Sequence, residues 1–230
     1  MDPVIEGIVR GINLILTGNP EVLTITALSL VVSGSATILS CAWSIPISLG
    51  LSLRSFHGKR IAKGLFNALI GVPTVALGLF LYLLLSRTGP LGYFQLLYTP
   101  SAIMIGQSIL VTPIVVSFSA SALESVDPEL RNLARTLGAS DLQTYQIIIK
   151  EAFWGVTLAV IAAFNRAFAE LGIAMMLGGN IRSVTRVLTT AIALETSRGD
   201  IALSVALTLV LLVVTMSVSI AINLARKSTP

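Results

Sequence analysis

Long uncharged apolar segments, separated by short charged ones, dominate the pattern of this chain. Four long stretches lack Asp, Glu, Lys and Arg altogether, namely 22–53, 64–86, 88–123 and 201–225, and two shorter ones do so at 152–165 and 171–181. The apolar positions run continuously instead of alternating, so they favour helices over barrel strands. A helix needs roughly 20 apolar residues to cross a bilayer, where its backbone must satisfy its own hydrogen bonds. The pattern predicts five spans, at about 22–51, 61–85, 101–123, 152–177 and 201–225.

The first 20 residues form a separate amphipathic segment before the transmembrane domain at 21–230. Gly7 and Gly11 are a small-xxx-small pair of the kind found where helices approach closely. We expect a helix that lies on the outer membrane surface or packs against the bundle. Its apolar positions share one predicted face: Ile5, Ile8, Val9, Ile12 and Leu16.

Composition excludes several classes of protein. The chain is 54% hydrophobic and 11% charged, whereas a soluble domain has about 25% charged residues. This excludes an ordinary soluble enzyme and a disordered chain. One cysteine, Cys41, and one histidine allow neither an intrachain disulfide nor an ordinary zinc site. Because the chain also lacks a P-loop, it is not expected to hydrolyse ATP itself.

Positive charge predicts the orientation of the chain. Arg54, Lys59, Arg60 and Lys63 form the densest cluster of cations, between the first two predicted spans. Loops rich in Lys and Arg stay in the cytoplasm. With five spans, this puts the N-terminus outside, and both the 124–151 connection and the C-terminus in the cytoplasm.

The 124–151 connection is the least membrane-like stretch of the chain. Asp127 is a good N-cap followed by Pro128 at the first helical position, and Gly138 is a typical helix end. Ser140 is placed to cap a second helix that leads to the fourth span. The first helix has an apolar face at the membrane surface, which suits either a protein partner or lipid headgroups. These residues alone favour neither alternative.

Two stretches carry a resemblance to a known family. Residues 134–140, with Ile148 further on, resemble the cytoplasmic signature loop of ABC importer permeases, although Asn132, Leu133, Lys150 and Glu151 depart from its pattern. Residues 170–195 are similar to the fourth span and outer loop of molybdate, tungstate and sulfate permeases. The sequence of this stretch, including Gly-Gly-Asn-Ile-Arg, is most similar to the tungstate type.

The resemblance implies an all-α integral membrane protein with the type I ABC importer permease fold. It implies a prokaryotic plasma (inner) membrane subunit of an ATP-driven tungstate importer, with molybdate or sulfate as alternatives. The expected partners are a second copy, two ATPase subunits that hold ATP and Mg, an external substrate-binding protein and membrane lipid. No cofactor on this chain and no nucleic acid are expected. The coupling helix would dock on the ATPase through Asp127, Glu129, Leu130, Leu133, Ala134, Arg135, Leu137, Gly138, Ala139 and Ser140.

Arg166 and Glu170 are the only charges deep within a predicted span. They are four residues apart and share a helical face, so they either pair structurally or border the permeation path. A dianion must also leave, so weak polar groups suit its path. The candidates, each also explicable as a packing residue, are Thr74, Gly78, Gln107 and Thr112.

Pro73 and Pro113 remove backbone donors within predicted spans and could bend them. At the outer loop, Asn180, Arg182 and Arg186 could guide the anion, contact the binding protein, or simply be solvated. Two other functions stay open. A secondary carrier usually has internal repeats, and none is visible here. An intramembrane enzyme could use Glu170 or Glu195, but no nucleophile and base have suitable spacing.

Overall fold

The computed structural model describes residues 3–227, which are largely helical and include no strand. The all-α fold class predicted from the sequence is confirmed. The α-helices are α1 (Pro3–Leu16), α2 (Pro20–Leu53), α3 (Lys59–Leu69), α4 (Thr74–Leu85), α5 (Pro100–Glu124), α6 (Pro128–Thr136), α7 (Asp141–Glu151), α8 (Phe153–Phe168), α9 (Gly172–Gly178), α10 (Leu188–Arg198) and α11 (Ile201–Lys227).

Three of these helices, α2, α5 and α11, are each long and apolar enough to cross a membrane. The pairs α3–α4 and α7–α8 also qualify when each is counted as one broken span, so residues 3–227 offer three to five crossings. Five crossings therefore remain a prediction. α5 lies at the centre of the bundle, packed between α2 and α8, and most of its side chains are buried.

The second predicted span, 61–85, is not one helix. α3 and α4 meet at 97°, with Pro73 immediately before α4. Proline has no N–H to continue the ladder, and the side chains of α3 have no buried contacts that would hold it in line. Pro113 behaves differently, because it lies inside the unbroken α5.

The fourth predicted span, 152–177, is also divided, into α8 and α9. The interruption falls at residues 169–171. The Ile173 N–H donates to the side chain of Glu170, which starts a new helix instead of extending α8. The short α9 ends at Gly178, and Gly179 and Asn180 after it both have positive φ, which stops the helix.

The N-terminal helix α1 packs against α11, so of the two predicted placements the structure has the one on the bundle. A Cβ on Gly7 would lie 2.8 Å from Ile201 Cγ2, and one on Gly11 would lie 2.8 Å from the Ala202 carbonyl oxygen. The glycine face, not the apolar face, makes this contact. The side chains of Ile5, Val9 and their neighbours stay exposed.

Candidate functional site

The breaks in the second and fourth predicted spans lie side by side. α4 packs along α9, and a Cβ on Gly78 would lie 3.2 Å from Met176 Cβ. A Cβ on Gly172 would lie 2.8 Å from Thr74 Oγ1. Thr74 thus lies beside the turn between α8 and α9, while Gly78 allows the close approach of α4 and α9.

Arg166 and Glu170 form the ion pair that their spacing predicts. Arg166 Nη1 lies 2.5 Å from Glu170 Oε2, and the Glu170 side chain is 2% exposed. Glu170 also accepts from Ile173 N through Oε1, at 3.2 Å, and its carbonyl accepts from Thr189 Oγ1, at 2.7 Å. We call Thr74, Arg166, Glu170, Gly172 and Thr189 the Glu170 junction. The Glu170 carboxylate there joins α8 to α9, and the Glu170 backbone carbonyl joins this turn to α10.

The guanidinium of Arg166 is not enclosed with its partner. Its side chain is 37% exposed, against 2% for Glu170. A guanidinium has five N–H donors in a rigid planar arrangement that suits oxyanions. The pair therefore has one buried end, at Glu170, and one partly exposed end, at Arg166.

Gln107 and Thr112, two of the path candidates, lie between α2 and α5. Thr112 Oγ1 accepts from Trp43 Nε1 at 2.7 Å and lies 3.2 Å from Ser40 Oγ, while Gln107 Oε1 accepts from Ser33 Oγ at 3.4 Å. We call these five residues the α2–α5 seam. Gln107 is buried and its side-chain oxygen faces α2, so both candidates bind a neighbouring helix within this chain.

The predicted outer loop is a paired cluster, not a fully solvated segment. The buried Arg186 lies 3.7 Å from Glu21 and 3.5 Å from Glu195, and Arg182 Nη2 lies 3.0 Å from Glu21 Oε2. Arg198 also pairs with Glu195, at 3.1 Å. We call Glu21, Arg182, Arg186, Glu195 and Arg198 the outer cluster. It joins the start of α2 to α10, and its most exposed cation is Arg182.

Asn180 lies next to this cluster and is conformationally unusual. Its φ is +52°, and its buried Oδ1 has no hydrogen-bond partner among the described residues. Arg186 Nε is likewise buried without a partner. Polar atoms in this condition are uncommon in folded proteins. The three outer-loop candidates thus differ: Arg182 is exposed, whereas Asn180 and Arg186 each have an unpaired buried atom.

The 124–151 connection has the predicted helix–glycine–helix form. Asp127 Oδ1 accepts from Glu129 N at 2.9 Å, Gly138 has a φ of +84°, and Ser140 forms a capping box with Gln143. Arg135 pairs with Asp141 at 3.0 Å, which links α6 to α7 across the glycine. Local sequence signals therefore determine this segment, as the capping residues suggested.

The side chains of α6 divide between an inner and an outer face. Leu133 is 56% exposed and Leu137 is 78% exposed, whereas Ala134 is buried and Leu130 is half-buried. Beneath the inner face lies a groove of about 920 Å³ toward α8, lined by Asp127, Glu129, Leu130, Glu151 and Trp154 among others. Leu133 also lines this groove although it is largely exposed, and Leu137 projects from the bundle, where apolar side chains are unfavourable without a covering partner.

The family model described as "Binding-protein-dependent transport system inner membrane component" matches residues 44–229. The chain belongs to this family. The match includes every helix from the end of α2 onward, and with it both the Glu170 junction and the α6–α7 connection. The chain is thus an ABC permease, and the resemblance carried by residues 134–140 and 170–195 is confirmed.

Several curated relatives resemble the permease over most of its length. A "probable anion ABC transporter permease protein" of Haloferax volcanii is 42% identical over 80% of this chain and 82% of that relative. A "tungstate uptake system permease protein" of Peptoclostridium acidaminophilum is 39% identical, over 90% of this chain and 91% of the relative. A sulfate transport permease of Salmonella typhimurium is 26% identical over 82% of this chain and 71% of the relative.

A solved structure supports the fold. A chain of a crystal structure titled as an amino acid ABC transporter with histidines superposes on the permease with a TM-score of 0.69 at 18% identity. The match covers 93% of this chain and 96% of that chain.

Within the described part of the permease, no group of three His, Cys, Asp or Glu side chains could hold a metal ion.

Some functional contacts of the permease could not be seen in the sequence. Glu21 pairs with arginines more than 160 positions away, and Thr189 reaches the carbonyl of Glu170 from α10. Glu124 joins Lys59 and Lys63 across the α3–α5 contact. Nothing in local spacing predicts these partners. Only the unusual isolation of Glu21 and Glu124 beside long uncharged segments could have drawn attention to them.

Proposed function

We propose that this permease is the membrane subunit of an ATP-driven importer of tetrahedral oxyanions, with tungstate as its ion. Two copies would form the path, and an external binding protein would deliver the anion. The main support for the ion is the order of the relatives. The tungstate permeases are 33–39% identical to this chain, whereas the sulfate and molybdenum permeases are 25–29% identical.

The observation that carries the transport mechanism is the exposed apolar face of α6. Leu133 and Leu137 project at the end of a segment that is anchored in the bundle by Ile148, which packs with Leu123 and Ala152. A rigid, exposed helix fixed at its base is suited to pass a displacement from a docked ATPase to the membrane helices. In this proposal ATP and Mg²⁺ stay on that partner.

Arg166 supplies the electrostatic part of the proposed path. Its accessible donors would meet the anion, while Glu170 reduces the local positive charge and keeps the site from holding a dianion too tightly. A paired arginine attracts an oxyanion without trapping it. Gly78 and Thr74 then act as packing elements that hold α4 against α9, and Gln107 and Thr112 hold α2 against α5.

The central test is uptake by the native complex, purified with its ATPase and reconstituted with its binding protein. We expect tungstate accumulation that requires ATP on the ATPase side and persists when ion gradients are collapsed. Molybdate and sulfate should compete less strongly than tungstate. If molybdate or sulfate competes more strongly than tungstate, tungstate is not the ion, but the transporter class stands. If uptake continues without ATP, the permease does not belong to an ATP-driven importer.

Gly138 tests the coupling role of the α6–α7 connection. Gly138 and Gly199 both have positive φ, and a Cβ added at either position would meet nothing within 4 Å. Gly138→Val and Gly199→Val therefore impose a similar strain of about 1–2 kcal/mol. We expect Gly138→Val to keep ATP hydrolysis but lose uptake, while Gly199→Val retains both. Equal effects of the two substitutions would argue against a coupling role for this glycine.

A further inference from the structure

The helix α3 has an exposed surface that the transport proposal leaves unexplained. None of its side chains is buried, although it contains Ile61, Leu65 and Leu69. It turns by 97° into α4, which begins only a few residues later. If α4 runs into the membrane, α3 must lie nearly parallel to the surface, at the level of the headgroups.

Two faces of α3 differ in their partners. Lys59 Nζ lies 3.2 Å from Glu124 Oε1 and Lys63 also pairs with Glu124, so these lysines face α5. The opposite face is apolar, with Ile61 79% exposed and Leu65 58% exposed. At its N-terminal edge Arg54 and Arg60 are exposed, and no carboxylate among the described side chains pairs with either.

The apolar side chains of α3 and the arginines beside them together indicate what kind of surface could cover this face of the helix. Apolar side chains beside unpaired arginines suit the boundary between acyl chains and anionic headgroups, where both groups are satisfied at once. The four cations from Arg54 to Lys63 exceed the single facing carboxylate of Glu124, so the local charge is strongly positive. Basic segments next to a membrane helix are attracted to anionic lipid headgroups.

We propose that α3 is an interfacial helix that binds anionic phospholipids through Arg54 and Arg60, with Ile61 and Leu65 at the acyl boundary. The bound lipid would hold α3 in position, and Lys59 and Lys63 would transmit that position to Glu124. Glu124 ends α5, and Asp127 caps α6 three residues later. Anionic lipid would thereby brace the start of the α6–α7 connection. The lipid contact does not depend on the transported ion.

Fluorescence quenching in vesicles tests this contact. The full chain, with Cys41→Ala and Leu65→Cys, is labelled at position 65 and reconstituted in phosphatidylcholine with about a third phosphatidylglycerol. Bromine atoms are placed on the acyl chains of one lipid or the other. The matched variants are Arg54→Gln with Arg60→Gln, and, as control, Arg87→Gln, which removes an exposed arginine beyond the far end of α4.

Brominated phosphatidylglycerol should quench the label several-fold more, per lipid, than brominated phosphatidylcholine. Removing both arginines should abolish most of this preference, so that the two lipids quench almost equally, while Arg87→Gln should leave it unchanged. Equal quenching by both lipids in the chain that retains its arginines would overturn the proposal. So would a preference that survives the double substitution, or a label that neither lipid quenches, since a protein would then cover this face.

Discussion

The α2–α5 seam and the Glu170 junction hold helices together in opposite ways. The seam is uncharged, and its helices remain continuous although Pro46 and Pro113 lie within them. The junction depends on one ion pair whose carboxylate is buried, and its helices are broken on either side of α9. The seam therefore joins two unbroken helices along their length, whereas the junction joins the ends of several short segments at one point.

The largest expected effect is at the centre of the junction. Glu170→Gln leaves the partly exposed Arg166 cation without its partner, and losing a hydrogen bond to a charged group costs about 1.5–3 kcal/mol. We expect a loss of that size in the free energy of unfolding in detergent, together with loss of uptake. Arg166→Gln combined with Glu170→Gln should regain part of the stability but not the uptake. Full uptake in the double variant would refute a transport role for Arg166.

A pair of glycines compares packing in the two regions. Gly172→Ala would bring a Cβ within 2.8 Å of Thr74 Oγ1, while a Cβ at Gly34 in α2 meets nothing within 4 Å. Overpacking costs about 1–3 kcal/mol, whereas alanine gains up to about 1 kcal/mol in an open helix position. Unfolding measurements should therefore shift in opposite directions. If Gly172→Ala and Gly34→Ala changed the stability in the same direction, the junction would be packed no more tightly than α2.

The seam is tested by removing an acceptor without changing shape. Thr112→Val leaves the Trp43 indole N–H without its partner, at a cost of about 1–2 kcal/mol. The apparent affinity for the ion should not change, because this hydroxyl faces α2. Adding Trp43→Phe removes the unsatisfied donor and should recover most of the loss. A change in the KM for uptake would instead indicate that Thr112 lines the permeation path.

The smallest effect is expected where the outer cluster joins the two regions. Arg182 is largely exposed, so Arg182→Gln should cost less than about 1 kcal/mol of stability. The same change at the buried Arg186 is the control, and it should cost clearly more because Glu21 and Glu195 both face it. Thermal unfolding of the two purified variants gives the comparison. Equal losses would mean that the cluster is uniformly solvated.

The sequence predicts best where the determining partner is local. Asp127, Gly138 and Ser140 act through backbone groups within three residues, and Arg166 reaches Glu170 across one helical turn. Spacing alone predicts each of these features. Charge-free runs likewise indicate α2, α5 and α11, because length and apolarity suffice to specify a long helix in lipid.

Prediction fails where tertiary packing decides. Pro73 and Pro113 have the same local chemistry, yet only Pro73 lies at a bend, since α3 has no buried contacts while α5 is enclosed. The direction of Gln107 toward α2 depends on the rotation of α5, which a nearly uniform apolar helix does not reveal. In α1 the sequence offers both an apolar stripe and the Gly7–Gly11 pair, and tertiary packing selects the glycine face for the contact with α11.

That contact between the first and last helices has a consequence for biosynthesis. Gly7 lies against Ile201, almost the whole chain away, so α1 has no packing partner until α11 has left the ribosome. Contacts of such long sequence separation form late, because the intervening chain must first be ordered. Closure of α1 onto α11 is then a late step of assembly, and a chain that ended before α11 would leave the Gly7–Gly11 face of α1 without its packing partner.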